Sequence, residues 1–203
     1  MNTLIKTIEV IGIIAFALTG ISEARKKGMD IIGVYAVAMI TAFGGGSLRD
    51  VMLNRHPLFW IEHYEYAVLV LILSIGSSVA MAELFNKKLM AMAVLVLDAL
   101  GLGFFSASGA SIADTMGCAP FVSVMLGVTT GVFGGVMRDM ICNEVPSVFQ
   151  RTELYATCSF IGAVCYLAVQ HGVGSEIMAV TTCIMVTFVL RMFAIQYKIR
   201  LPI

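Results

Sequence analysis

The chain has 203 residues, of which 59% are hydrophobic and 13% charged, about half the charged share of an average soluble domain, roughly 25%. Thirteen Lys and Arg balance thirteen Asp and Glu, so no basic excess points to nucleic acid. The composition excludes an ordinary soluble globule and indicates a membrane protein.

The apolar material is divided into runs of about 20 residues, the length a helix needs to cross a hydrocarbon core about 30 Å thick. Seven spans are expected, at roughly 4–22, 31–53, 65–84, 90–108, 119–142, 154–171 and 177–196. A β-barrel would alternate apolar and polar residues over about ten positions, and these runs do not alternate. Span 1 carries Glu9 in its first turns and ends in the basic loop Arg25, Lys26, Lys27. Its acidic residue has a counterpart later in the chain, so the span reads as retained rather than as a cleaved signal peptide. Span 2 meets Gly44, Gly45 and Gly46 and then Arg49 and Asp50. Beyond it, Pro57, Phe59, Trp60, Tyr64 and Tyr66 resemble an interfacial aromatic belt.

Span 3 ends at the polar stretch Glu83 to Lys88. Span 4 carries Asp98 and a small-residue run from Ser106 to Ser111, suited either to packing within the chain or to a subunit contact. Span 5 repeats the features of span 2, with Gly134, Gly135, Arg138 and Asp139. Spans 6 and 7 are more uniformly apolar as far as Arg191. With alternating sides, Arg25, Lys26, Lys27, Lys87, Lys88, Arg151, Lys198 and Arg200 share one side, against Lys6 and Arg55 on the other. The positive-inside rule makes the first side cytoplasmic, with the N-terminus outside and the C-terminus inside.

Thr41 to Pro57, TAFGGGSLRDVMLNRHP, recurs 89 residues later as TGVFGGVMRDMICNEVP. The matches include Thr41/Thr130, Gly45/Gly134, Arg49/Arg138, Asp50/Asp139 and Asn54/Asn143, and the offset extends to Glu9/Asp98, Gly20/Gly109 and Tyr66/Tyr155. The chain is a duplication of a three-span unit. An odd number of spans forces the second copy into the membrane upside down, as inverted repeats. The expected architecture is all-α: residues 1–88 and 89–175 as the two repeats, then 176–203 as a seventh helix and cytoplasmic tail.

Glycine inside a helix costs about 1 kcal/mol relative to alanine, so the two runs need a compensating reason. Close packing against bare backbone is one. The other is a break in helices 2 and 5 that lines a solute path, a pattern that marks transport sites when it occupies corresponding places in two repeats. On that reading Gly45→Leu or Gly134→Leu abolishes flux and leaves assembly intact. Hydroxyls of Thr41, Ser47, Thr129 and Thr130 supply ligands for a cation or satisfy backbone groups.

Charges inside a membrane cost at least about 2.5 to 3.5 kcal/mol and find partners. Neighbours on a helix do not face each other, so Arg49 and Arg138 are expected to pair across helices rather than with Asp50 and Asp139. At 1.5 Å per residue Arg49 lies about 27 Å beyond Ile31, level with Glu9; by the same arithmetic Arg138 is level with Asp98. Two ion pairs follow, which either lock the helices or also bound a polar path. The cluster His56, Glu62, His63, Glu65 reads as a polar loop rather than a metal site. The five cysteines lack metal or disulfide spacing, and no phosphate loop, nucleophile elbow, catalytic triad or cofactor motif is present.

The FGGGSLRD and FGGVMRD segments, the duplicated units and the extra seventh span resemble the trimeric intracellular cation channel family in its prokaryotic branch, whose bacterial sequences also carry a glycine-transporter label. The resemblance implies a homotrimer in the prokaryotic inner membrane, with one pore per subunit along kinked helices 2 and 5, passing potassium and some sodium. It implies lipid, those ions and further copies of the chain as partners, no cofactor and no enzymatic activity. The kinks would fall at Gly44 to Gly46 and Gly134–Gly135. Animal members place a gating lysine in these helices; spans 2 and 5 here have none, which puts gating of the animal type in doubt. A secondary transporter of a small zwitterion such as glycine is the alternative.

Overall fold

A computed structural model describes residues 3–80, 87–150 and 154–200, with side chains omitted at 78–80 and 87–90. Among the expectations above, the end of span 3 at Glu83, the side chains of Lys87 and Lys88, and Arg151 lie outside the described residues. The chain is an all-α membrane protein. Its helices are α1 (Thr3–Lys26), α2 (Ile31–Met52), the short α3 (Phe59–Glu62), α4 (Tyr64–Ala80), α5 (Lys87–Thr115), α6 (Pro120–Ile141), α7 (Ala156–Val173) and α8 (Glu176–Tyr197), with a 3-10 turn at Ser147–Phe149. Six of them are long and apolar enough to cross a membrane; α4 is shorter. The seven expected spans correspond to α1, α2 and α4 to α8.

Helix ends follow local chemistry. The Asp30 side chain accepts a hydrogen bond from the Gly33 amide at 2.8 Å, capping the start of α2, and Pro120 opens α6 where its missing N–H is not needed. At the far ends Asn54 and Asn143 take left-handed backbone, with φ of 51° and 56°. Their following residues return amides to the Asp50 and Asp139 carbonyls at 2.7 and 2.8 Å. Asparagine tolerates that conformation, which explains why it sits at both positions of the repeat.

α1, α2, α5 and α6 form the centre of the bundle, α4 lies against α1 and α2, and α7 and α8 pack on each other and on α5. α1 and α5 cross where Phe16 and Phe105, themselves 89 residues apart, meet at a tilt with ring centroids 5.1 Å apart. The small-residue run of α5 is buried inside the subunit. Ser106 shares a 2.6 Å hydrogen bond with Ser159, and Gly109 faces Thr130 and Leu126 of α6. Those residues therefore serve packing within the chain.

The glycine runs do not interrupt their helices: α2 and α6 are helical across Gly44 to Gly46 and across Gly134–Gly135. The expected breaks are corrected in this respect. What the glycines permit is a backbone-to-backbone crossing of α2 and α6. Of the aromatic residues in the expected belt only Tyr64 is well exposed; Phe59, Trp60 and Tyr66 lean on the core around Phe43 and Val70.

Candidate functional site: two buried ion clusters astride a glycine crossing

The crossing is the tightest point between the repeats. A Cβ added to Gly45 would lie 2.0 Å from the Thr130 carbonyl oxygen, and one on Gly134 would lie 2.3 Å from the Thr41 carbonyl oxygen. Gly44 and Gly46 are not so constrained, with nothing closer than 3.8 and 3.7 Å. The Thr41 and Thr130 hydroxyls donate to the Val37 and Leu126 carbonyls, at 2.7 and 2.6 Å, and Thr129 does the same to Met125. These hydroxyls satisfy their own helices, leaving Ser47 as the candidate hydroxyl that faces a cavity.

Towards the end of the bundle that carries Arg55, α1, α2 and α5 bring together a cluster with no solvent access at its centre. Arg49 Nη1 donates to Glu9 Oε1 at 2.5 Å and to Ser108 Oγ at 3.0 Å, while Ser108 Oγ donates to the same Glu9 oxygen at 2.7 Å. Arg49 Nε donates to Asp50 Oδ1 at 2.9 Å. Asp50 also accepts from Arg55 Nη1 at 3.1 Å and from the Phe59 amide at 3.3 Å. Glu9 is 2% exposed and Arg49 fully buried. Taking such groups out of water costs several kcal/mol per ion, offset only by close partners; here two carboxylates face two guanidinium groups.

A second cluster stands toward the opposite end, at the 89-residue offset. Arg138 Nη1 donates to Asp98 Oδ1 at 3.0 Å and to Thr19 Oγ1 at 3.2 Å, and Nε donates to Asp139 Oδ1 at 2.9 Å. The Ser147 amide donates to the other Asp139 oxygen at 3.1 Å. Thus both expected cross-helix pairs are formed. The expectation that each arginine avoids its own neighbour is corrected. Adjacent Cβ atoms do point apart, but the guanidinium is long enough to turn back, and its Nε reaches the next carboxylate while Nη1 reaches across to another helix. Thr19 was not singled out in the sequence, and Ser108 only as part of the small-residue run, although both are hydroxyl residues obeying the same offset.

The two ends differ beyond the ion pairs. Beside Glu9 and Arg49 is a cavity of about 10 Å³, with Ala42, Phe43, Ser47 and Trp60 in its walls, and an open depression of about 290 Å³ adjoins Lys6, Arg55 and His63. At the other end Leu102, Val132, Val136 and Tyr155 make an apolar cluster. Tyr155 brings its hydroxyl within 3.3 Å of where a Gly135 Cβ would be, and Arg191 lies 4.8 Å over its ring. Its repeat partner Tyr66 instead stacks on Phe59, centroids 5.7 Å apart. Arg55, which bonds Asp50, corresponds to Glu144, which bonds Lys27. That exposed contact raises the Lys27 pKa and lowers that of Glu144, chiefly through their mutual hydrogen bond.

Crossed helices with glycine contacts, flanked by two charge-matched clusters inside an apolar bundle, define a polytopic α-helical membrane protein with a polar interior. A family model described as Glycine transporter matches the chain twice, over residues 6–82 and 95–171. The UPF0126 inner membrane protein YadS of Escherichia coli is 32% identical over 98% of this chain and 95% of its own length. A UPF0126 membrane protein of Vibrio cholerae is also 32% identical, over 99% of this chain and 83% of its own. The solved structure of the TRIC trimeric intracellular cation channel orthologue from Rhodobacter sphaeroides superposes with a TM-score of 0.90 at 29% identity, covering 98% of this chain and 100% of that one. Another, reported as a basis for conductance through TRIC cation channels, is 34% identical over 98% of this chain and 96% of its own, with a TM-score of 0.85. The chain belongs to this family, the prokaryotic branch of the TRIC channels.

Proposed function

We propose that the protein is a potassium-permeable monovalent cation channel, a homotrimer with one path in each subunit bounded by α2 and α6. The likeness to TRIC cation channel structures over essentially the whole chain carries this reading. The geometry is compatible with it in one respect that matters. An arginine facing a cation path unmatched would repel the ion, and Arg49 and Arg138 each meet two carboxylates. In this proposal Gly44, Gly45, Gly46, Gly134 and Gly135, with Thr41, Ser47 and Thr130, shape the region between the halves. Glu9, Arg49, Asp50, Asp98, Arg138 and Asp139 bound it.

The contacts repeated at the 89-residue offset support two inverted three-helix units, 1–88 and 89–175, with 176–203 appended. Placed in a bacterial inner membrane by the positive-inside rule, the Arg55 end faces outward and the Lys27 end the cytoplasm. The alternative reading, which shares only a label with the family description Glycine transporter, is a secondary transporter of a small zwitterion. Purified protein reconstituted in planar bilayers and in liposomes separates the two. The channel reading expects unitary potassium currents and no saturable glycine uptake; slow saturable glycine flux without unitary currents would overturn it.

A further inference from the structure

We propose that the cavity beside Glu9 is a binding position for one desolvated monovalent cation, on the Arg55 side of the glycine crossing. The proposal rests on the channel reading and adds to it a place where the ion pauses. Glu9 spends one oxygen on Arg49 and Ser108; the other, Oε2, is buried and meets no hydrogen-bond partner among the described residues. A buried carboxylate oxygen left unsatisfied is costly, and this residue lines the cavity. At about 10 Å³ the space admits one water-sized occupant, which is also the size of an alkali cation stripped of its shell.

The walls are mostly apolar, with Glu9, Ser47 and Arg49 as their polar residues; Arg49 Nη2 makes no hydrogen bond of its own but is held 2.8 Å from Asp50 Oδ1. Ser47 adds a hydroxyl to the lining, and Phe43 and Trp60, with ring centroids 6.4 Å apart, add aromatic surface of the kind that attracts positive charge. The neighbouring Arg49 charge is already opposed by Glu9 and Asp50, and Arg55 by Asp50, so an arriving ion meets a cluster of zero formal charge. Occupancy is then favourable through Glu9 Oε2 without being so tight that the ion cannot leave, as conduction requires.

The repeat supplies an internal control. The positions equivalent to Phe43 and Ser47 are Val132 and Val136, which pack in an apolar cluster with Leu102 and Tyr155. The chain departs from its own duplication at the residues that make the Glu9 cavity polar and aromatic. The hydroxyl and aromatic lining proposed to hold the ion is therefore not repeated at the equivalent positions of the other half.

Thallium(I), a heavy monovalent probe, tests this in crystals of the full-length protein. The expected result is an anomalous peak in coordination contact with Glu9 Oε2. The double substitution Phe43→Val with Ser47→Val, which copies the opposite end, should lose that peak. A cavity holding only a water that thallium does not replace, in a preparation that carries thallium current in bilayers, overturns the site and leaves the channel reading standing. Absence of any thallium current overturns both. The unsubstituted protein decides the question by itself should the variant fail to fold.

Discussion

Gly45 of α2 and Thr130 of α6 meet backbone to backbone: a single methyl on Gly45 would stand 2.0 Å from the Thr130 carbonyl oxygen. Gly134 and Thr41 repeat the contact from the other side at 2.3 Å. Backbone cannot swing away as a flexible side chain can, so Gly45→Ala and Gly134→Ala should each cost about 1–3 kcal/mol or more by overpacking. Gly44→Ala and Gly46→Ala should stay within about 1 kcal/mol of the parent, since alanine is the better helix former. Thermal unfolding in detergent ranks the four; equal effects across them would remove the crossing from the account. Leucine at Gly45 or Gly134 should disrupt the fold itself, contrary to the expectation of lost flux with intact assembly.

The two arginine clusters should differ in cost. Arg49 is fully buried, whereas the Arg138 and Asp98 side chains are each 11% exposed. Breaking a buried pair by removing one partner costs about 3–5 kcal/mol, so Arg49→Met should lie in that range and Arg138→Met below it. A double-mutant cycle joining Arg49→Met to Glu9→Gln should show strong coupling. Additive losses would mean that the pair contributes no mutual stabilisation.

Much of this site was legible in the sequence, because depth along a helix is simple arithmetic. Glu9 and Arg49 sit at one level and Asp98 and Arg138 at another, and the described structure joins each pair. The role of the glycines was not legible, since a missing Cβ serves a helix break and a close crossing equally well. Only the neighbour, here a carbonyl oxygen of the opposite repeat, tells them apart. The Arg49 to Asp50 bond was missed because Cβ directions say little about where a long guanidinium ends. Tyr66 and Tyr155 occupy equivalent positions yet turn to different surroundings, which one sequence read against its own duplicate cannot reveal.

The Lys27 to Glu144 bridge makes a pH prediction. Glu144 is held below its ordinary value of 4.5, so its contribution is present above that value and is lost as pH falls through the lowered one. Lys27 is raised above 10.5, so its contribution is complete below that value and is lost as pH rises through the raised one. Both groups are exposed and salt screens such pairs. Glu144→Gln should therefore lower the unfolding temperature slightly at neutral pH and low salt, with the difference vanishing in acid below the carboxylate range. A difference that persists there would assign the effect to something other than the bridge.

The proposed orientation rests on the distribution of Lys and Arg. A reporter fused after the C-terminus should be active only if the reporter works in the cytoplasm, and one fused before the N-terminus only if it works outside. The reverse pattern would invert the proposed sidedness and place the Glu9 cavity on the cytoplasmic half.

If each subunit passes cations past paired charges, the reversal potential of purified protein in a planar bilayer under a potassium chloride gradient reports it. A cation channel gives unitary currents that reverse close to the potassium equilibrium potential. Currents reversing toward the chloride potential, or no current from protein that is folded and inserted, would contradict it.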